Sequence, residues 1–212
     1  MPAFPLILIA TFIRIIASYF ILYNIPRFFI GVFPKNKIEY SILKAVLPFF
    51  TIVSVVGGGV FGDYYDSEKG GRRYRMRGYI SAIGTIITIP TLYVCFFLQY
   101  SFWASAGSLI VGQLFGQQFF SLSISMINNM LPSHLQGIGS AIYLLTLNVS
   151  LTVSQLALSA ATEGIDDNSK YGEILGWFSL FSFVGSLPFY IYGGIKYEEK
   201  MRDITNKPYQ TT

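Results

Sequence analysis

Apolar and polar positions fall in long blocks along this chain, with none of the short-period alternation that marks a half-buried sheet or a soluble amphipathic helix. Apolar windows of about 20 residues or more, long enough to cross a bilayer, run from about Pro5 to Phe29, Ile42 to Gly62, Gly78 to Gln99, Phe102 to Met130, Leu135 to Ala161 and Ile174 to Ile195. Glycine, proline and charge punctuate the segments between them, as loops require. From Gly78 to Thr162, 85 consecutive residues contain no Asp, Glu, Lys or Arg. As α-helix that run is about 130 Å long, some four times a hydrocarbon core, so with its turns it crosses about three times. The pattern predicts an all-α membrane protein: six transmembrane helices within residues 1–198, then a tail over 199–212. The third and fourth windows meet at "LQYSF", a turn so short that it joins antiparallel neighbours. The fourth and fifth meet at "MLPSHLQG", where Pro132 can open a helix and Ser133 can cap it.

Composition agrees with the pattern. Only 12% of the 212 residues are charged and 52% are hydrophobic, with a mean hydropathy of +0.51, where a soluble domain carries about 25% charge. The N-terminus does not read as a signal peptide, because it lacks a basic leader and sets Arg14 inside the apolar run. A net charge of +4 and a pI near 9.1 raise the question of nucleic acid, but the cations sit in short loops beside the spans and argue topology instead. Lys69, Arg72, Arg73, Arg75, Arg77, Lys196, Lys200, Arg202 and Lys207 lie on the side of the second and fourth loops and the tail. Arg27, Lys35, Lys37 and Lys170 lie on the other. Both termini are therefore expected in the cytoplasm, with the acidic loop "TEGIDDNSKYGE" facing outside or into a lumen. The sequon at Asn148 lies inside a span and out of a transferase's reach.

Chemistry narrows the classes further. Cys95 is the sole cysteine and His134 the sole histidine, so intrachain disulfides and clustered metal ligands are not expected. No nucleophile elbow, phosphate loop or zinc-protease motif is present, and no pair of carboxylates lies within the spans. Neither an enzyme nor a cofactor is expected. Intramembrane polarity is the more informative signal, since polar side chains in hydrocarbon usually face a bundle interior or a wet cavity. Gln113, Gln117, Ser121, Ser125 and Asn128 recur at helical spacing in the fourth span, and Asn148, Thr152, Gln155 and Ser159 in the fifth. Arg14 lies about ten residues into the first, where a buried partner, a cavity or a bound anion would accommodate its charge. The third and sixth spans hold no amide or charge in their interiors, only Ser and Thr. Two repeats of three helices, with the third of each facing lipid, would produce this distribution. Plain helix-to-helix hydrogen bonding of the amides is the alternative. Pro26, Pro48, Pro90 and Pro188 would kink or end their spans.

The stretch "GGGVFGDYYDSEKGGRRYRMRGY" carries a resemblance. Gly59, Val60, Phe61, Gly62 and Asp63, followed after an insertion by Gly71, Arg72 and Arg73, resemble the G-x-x-x-D-(R/K)-x-G-R-R loop of the major facilitator superfamily, which joins the second and third helices of each six-helix half. "FIRIIASYFILYNIPRFFIGVFP", "MLPSHLQGIGSAIY" and "YGEILGWFSLFSFVGSLPFYIYGGIKY" are similar to the first, fifth and last helices of that family's C-terminal half, in the Spinster-like and related protist branch. Only the loop motif is specific, and it is degenerate here: three extra residues separate Asp63 from the arginines, and Tyr64 stands where a basic residue is expected. The resemblance implies half of a major facilitator fold, with transport of a small organic or lipid-like solute by alternating access. It implies a cavity lined by Arg14, Gln113, Gln117, Asn148 and Gln155. It also implies a conformational latch of Gly59, Asp63, Arg72 and Arg73, in which Asp63 accepts from a helix start near Ser133 while Arg72 or Arg73 balances its charge. The partners expected are the lipid bilayer, a small-molecule substrate, and a missing or separate N-terminal half or a second copy. The family's pattern puts an acid near Gln117, and an amide carries no proton, so the chain alone is not expected to complete a proton-coupled transporter. A non-transporting membrane subunit that uses the same bundle for binding or assembly is the other expectation.

Overall fold

A computed structural model describes residues 2–67, 69, 71–163 and 167–206. Lys207, counted above among the cations of the tail, lies outside the described residues, as do 208–212 and positions 164–166 of the acidic loop. The protein is all-helical, with no strand among the described residues. Its helices are α1 (Ala3–Val32), α2 (Lys37–Asp66), α3 (Met76–Phe97), α4 (Phe102–Gly116), α5 (Phe119–Met130), α6 (Gln136–Thr162) and α7 (Asn168–Asn206), with single 3-10 turns at Pro34–Asn36 and Ser133–Leu135. Together they make six spans long and apolar enough to cross a membrane, the fourth shared by α4 and α5. This is a multi-pass integral membrane protein.

Most of each span's surface is apolar, which in water would force burial and in lipid does not. Packing is therefore decided by where backbones can come close. α7 runs antiparallel to both α1 and α3. A Cβ placed on Gly78 of α3 would lie 2.5 Å from the Tyr190 carbonyl oxygen and 2.7 Å from the Gly194 Cα of α7. At the opposite end of the same seam, Gly172 and Gly176 of α7 make room for Phe28 of α1 and Phe97 of α3. α4 lies against α3 where Gly112 and Gly116 meet Thr91 and Thr88. α6 runs parallel to α1, with the Ser154 hydroxyl donating to the Ile16 carbonyl at 3.0 Å. α2 runs parallel to α4 and α5 in the same way, with the Ser121 hydroxyl donating to the Val55 carbonyl at 2.7 Å. Two apolar cores result, one around Phe20, Phe28, Phe96 and Leu175, the other around Ile7, Phe119, Met126 and Tyr143.

The fourth span departs from the continuous helix its hydropathy predicts. Its helix stops at Gly116 and resumes at Phe119. At the break the Phe120 N–H donates to the Gln117 carbonyl at 3.2 Å, three residues back where a helix would reach four, and the Gly116 carbonyl is released. The Gln118 side chain fastens the break by donating to the Ile80 carbonyl of α3 at 2.8 Å. Pro26, Pro48, Pro90 and Pro188 all lie inside helices.

Candidate functional site

A cavity of about 480 Å³ opens between α1, α2 and the α4–α5 break. That volume is in the range that holds a drug-sized ligand. Its walls are chiefly apolar, with Tyr19, Leu22, Ile25, Leu47 and Phe120 among them. Two of its walls carry a proline inside a helix, Pro26 in α1 and Pro48 in α2. Neither ring nitrogen can donate, so the carbonyls of Leu22 and Lys44 lose their helical donors beside the cavity. The polar groups gather in two places. Tyr40 and Lys44 lie toward one end, and Ser18, Thr51, Gln113 and Gln117 toward the other. Thr51 Oγ1 lies 3.4 Å from Gln113 Oε1, linking the α2 wall to α4.

Behind Gln113 and Gln117 lies a second, much smaller void of about 20 Å³, and Arg14 lines it. Ser18, Gln113 and Gln117 border both spaces. Arg14 has no exposed surface. Its Nη2 donates to the Gly116 carbonyl at 2.7 Å, the group the helix break releases. The guanidinium stacks on the Phe183 ring, with Cζ 3.4 Å from the centroid, and lies 5.3 Å from the centroid of Phe119. A cation over an aromatic face is attracted by the ring quadrupole, more so without water. The buried hydroxyls of Thr11, Ser123 and Tyr190 cluster nearby.

Of the five residues expected to line the cavity, Gln113 and Gln117 do so, and Arg14 sits one layer behind them. Asn148 and Gln155 are elsewhere. Both are exposed on α6, and the Asn148 side chain turns back to donate to the Leu144 carbonyl at 2.8 Å. The face α6 buries is instead Tyr143, Leu147, Ser150, Ser154 and Leu158. The small Ser150 and Ser154 let α1 approach, and an amide at the same contact would hold it off.

The loop motif is rearranged in a similar way. Asp63 does accept from an arginine, but the donor is Arg77, whose Nη2 reaches Asp63 Oδ1 at 2.7 Å while its Nε reaches Asp66 Oδ2 at 2.6 Å. Arg77 is 2% exposed, Asp66 14% and Asp63 74%, so the inner carboxylate is the one sheltered with the cation. Arg72 and Arg73 have exposed side chains and shape the loop through their backbone. Arg72 sits at φ 50°, and the Arg73 N–H donates to the Tyr65 carbonyl at 2.8 Å. Close helix approach falls at Gly58 and Gly62, where an added Cβ would come within 2.6 Å of Gln118 and Leu122 respectively. Gly59 has only an ordinary contact with Ser121 at 3.7 Å. Beside this cluster, Glu198 of α7 accepts from Arg202 at 2.6 Å and forms an ion pair with Arg75 at 3.4 Å, and the Asn129 amide donates to the Tyr197 hydroxyl at 3.2 Å. The ends of α2, α3, α5 and α7 are tied together there.

Arg77 and the helix break were the features sequence reasoning missed. The spacing of Asp63 and Asp66, one turn apart at the end of a span, points to a shared partner at the start of the next. The break is written in Gly116 followed by two glutamines, a pattern that hydropathy averaging erases. Searches for relatives add nothing to this geometry: no protein-family model, no curated protein and no solved structure matches the chain.

Proposed function

We propose that this bundle is one half of a major facilitator-type transporter and carries a small organic or lipid-like solute by alternating access. The observation that carries the reading is the cavity itself: a ligand-sized apolar space with a polar end built from Ser18, Thr51, Gln113 and Gln117, walled by helices that contain Pro26 and Pro48. Helices interrupted or carrying proline beside a substrate site are parts from which alternating-access transporters are made.

The helix pairings support the reading. Exchanging the first three spans with the last three turns the contact of α1 with α7 into that of α4 with α3. The same exchange turns the parallel pair of α1 and α6 into that of α4–α5 and α2. Two three-helix repeats of opposite orientation account for both substitutions at once. On this proposal Gln113 and Gln117 contact the solute, and Arg14 supports the break that presents them. The cluster of Arg77, Asp63 and Asp66 acts as the latch at the cytoplasmic face, and the excess of cations on that side supports a cytoplasmic position for both termini. Asn148 and Gln155, with the exposed apolar face of α2, turn toward a second six-helix bundle, either a separate half or another copy.

That exposed flank also favours a second reading, a membrane subunit that assembles through α2 and α6 and transports nothing. Proteoliposomes separate the two. Purified protein is expected to accumulate at least one solute from a chemically diverse labelled panel above empty vesicles, and Gln117→Leu is expected to remove that uptake while leaving thermal unfolding in detergent unchanged. Uptake by the Gln117→Leu variant equal to that of the unaltered protein would reject the cavity as the route. Binding with no flux for any solute would leave the assembly reading.

A further inference from the structure

We propose that the inner end of the cavity is an organic-anion site, where Arg14 receives a substrate carboxylate while the apolar body of the same molecule fills the 480 Å³ space. This deepens the solute reading above and rests on that cavity being the solute site.

Arg14 carries the inference because its hydrogen bonding is incomplete. The side chain is fully buried, and only Nη2 has an acceptor, the Gly116 carbonyl. Nε and Nη1 are buried with no partner. Ring faces stabilise the charge but leave in-plane N–H groups unmet, and each unmet donor on a buried cation carries a large desolvation cost. Among the described residues no carboxylate pairs with Arg14, and no Asp or Glu lines either the cavity or the void beside it. A buried cation with spare donors, next to a space that holds no negative charge, is an incomplete ion pair. What completes it is an anion from outside the chain.

The geometry gives that anion a place and a class. The void that Arg14 lines has room for about one water-sized group, which suits a single carboxylate oxygen accepting from Nη1. Ser18, Gln113 and Gln117 separate this void from the cavity and border both, so a rotation of the Gln117 side chain joins the two. The amide N–H groups of Gln113 and Gln117 supply neutral donors for the second oxygen, while the Ser18 hydroxyl donates to the Arg14 carbonyl at 3.2 Å. One cation matches a monoanion, whereas a phosphate dianion would call for more. The remaining lining is apolar and aromatic, which asks for a hydrophobic body. Lys44, about 10 Å up α2 from Thr51 at the rise of a helix, attracts anions toward the cavity without reaching its inner end.

The test uses the 212-residue protein in lipid nanodiscs and a series of carboxylates from acetate to 2-naphthoate, each compared with its primary amide, which keeps the shape and removes the charge. Calorimetric titration is expected to show at least one larger member binding about tenfold tighter than its amide, the size of one charge-assisted hydrogen bond. Lys44→Gln, an exposed position that leaves the fold intact, is expected to keep most of that preference. Arg14→Gln is expected to abolish it while the amide's affinity stays within twofold. Equal affinity of every carboxylate and its amide in the unaltered protein overturns the proposal. So does a preference that disappears in Lys44→Gln, because the anion then sits at the mouth. If Arg14→Gln fails to insert, the unaltered protein and Lys44→Gln still decide. A carboxylate preference without flux in proteoliposomes removes transport and leaves this site standing, while flux restricted to neutral solutes does the reverse.

Discussion

The seam of α3 with α7 and the flank of α2 are made of the same apolar residue types, yet 44% of the most apolar stretch of α3 is buried inside the bundle and only 17% of that of α2. Hydrophobicity does not separate them, because lipid tails solvate leucine and valine as well as a neighbouring helix does. Small residues do. In the seam, Gly78 faces Gly194 with backbone against backbone. Along the flank, Phe49, Val56 and Val60 point outward, each more than half exposed. Within a membrane, then, hydropathy locates the spans and the spacing of small residues locates their neighbours.

The strongest way to break this comparison is to add volume to the seam. Gly78→Val is expected to destabilise the protein by about 3 kcal/mol in reversible unfolding from detergent, since the new atoms meet carbonyl oxygen and Cα that cannot turn aside. Valine to leucine at position 60 on the flank is expected to change nothing measurable. The next largest effect lies at the charged end of the bundle. Arg77→Leu leaves Asp66 sheltered without its cation and is expected to cost about 2 kcal/mol, less than a fully buried pair because water reaches both acids. Asp63→Asn, at a mostly solvated carboxylate, is expected to cost under about 0.5 kcal/mol.

Within the recognisable loop motif the comparison can be sharpened over adjacent residues. Gly58→Ala drives a Cβ against the Gln118 backbone and is expected to cost about 1.5 kcal/mol. Gly59→Ala meets only ordinary contact and is expected to stay within about 0.5 kcal/mol. The reverse order would move the tight contact to the motif position that the family pattern marks. A comparably small effect is expected on α6, where Leu156→Ala, at a residue 67% exposed, should leave unfolding unchanged to within about 0.5 kcal/mol.

These contrasts also show what the sequence could reveal. The six spans were legible because length and hydropathy are properties of single segments. Gln113 and Gln117 were legible as cavity residues because their four-residue spacing puts two amides on one helix face. Asn148 and Gln155 have similar spacing, but which way α6 turns is set by Ser150 and Ser154 against α1, a pairing that no single helix announces. Asp63 was legible as an ion-pair member, but its partner was not. Arg72 and Arg73 are nearer the motif, yet the turn after Ser67 projects their side chains outward and leaves Arg77, one turn into α3, facing the acids. The pairing of the released Gly116 carbonyl with Arg14 joins two spans 102 residues apart and has no local signature.

The central claim is that the cavity beside Gln113 and Gln117 opens alternately to the two sides of the membrane. Cysteine accessibility tests it most directly, because the only native cysteine, Cys95, is fully buried. Gln117→Cys in sealed proteoliposomes is predicted to react with a membrane-impermeant maleimide added from either side, with a transported solute shifting the ratio of the two rates. Labelling from one side alone, unchanged by every solute tested, would describe a fixed pit and contradict the account.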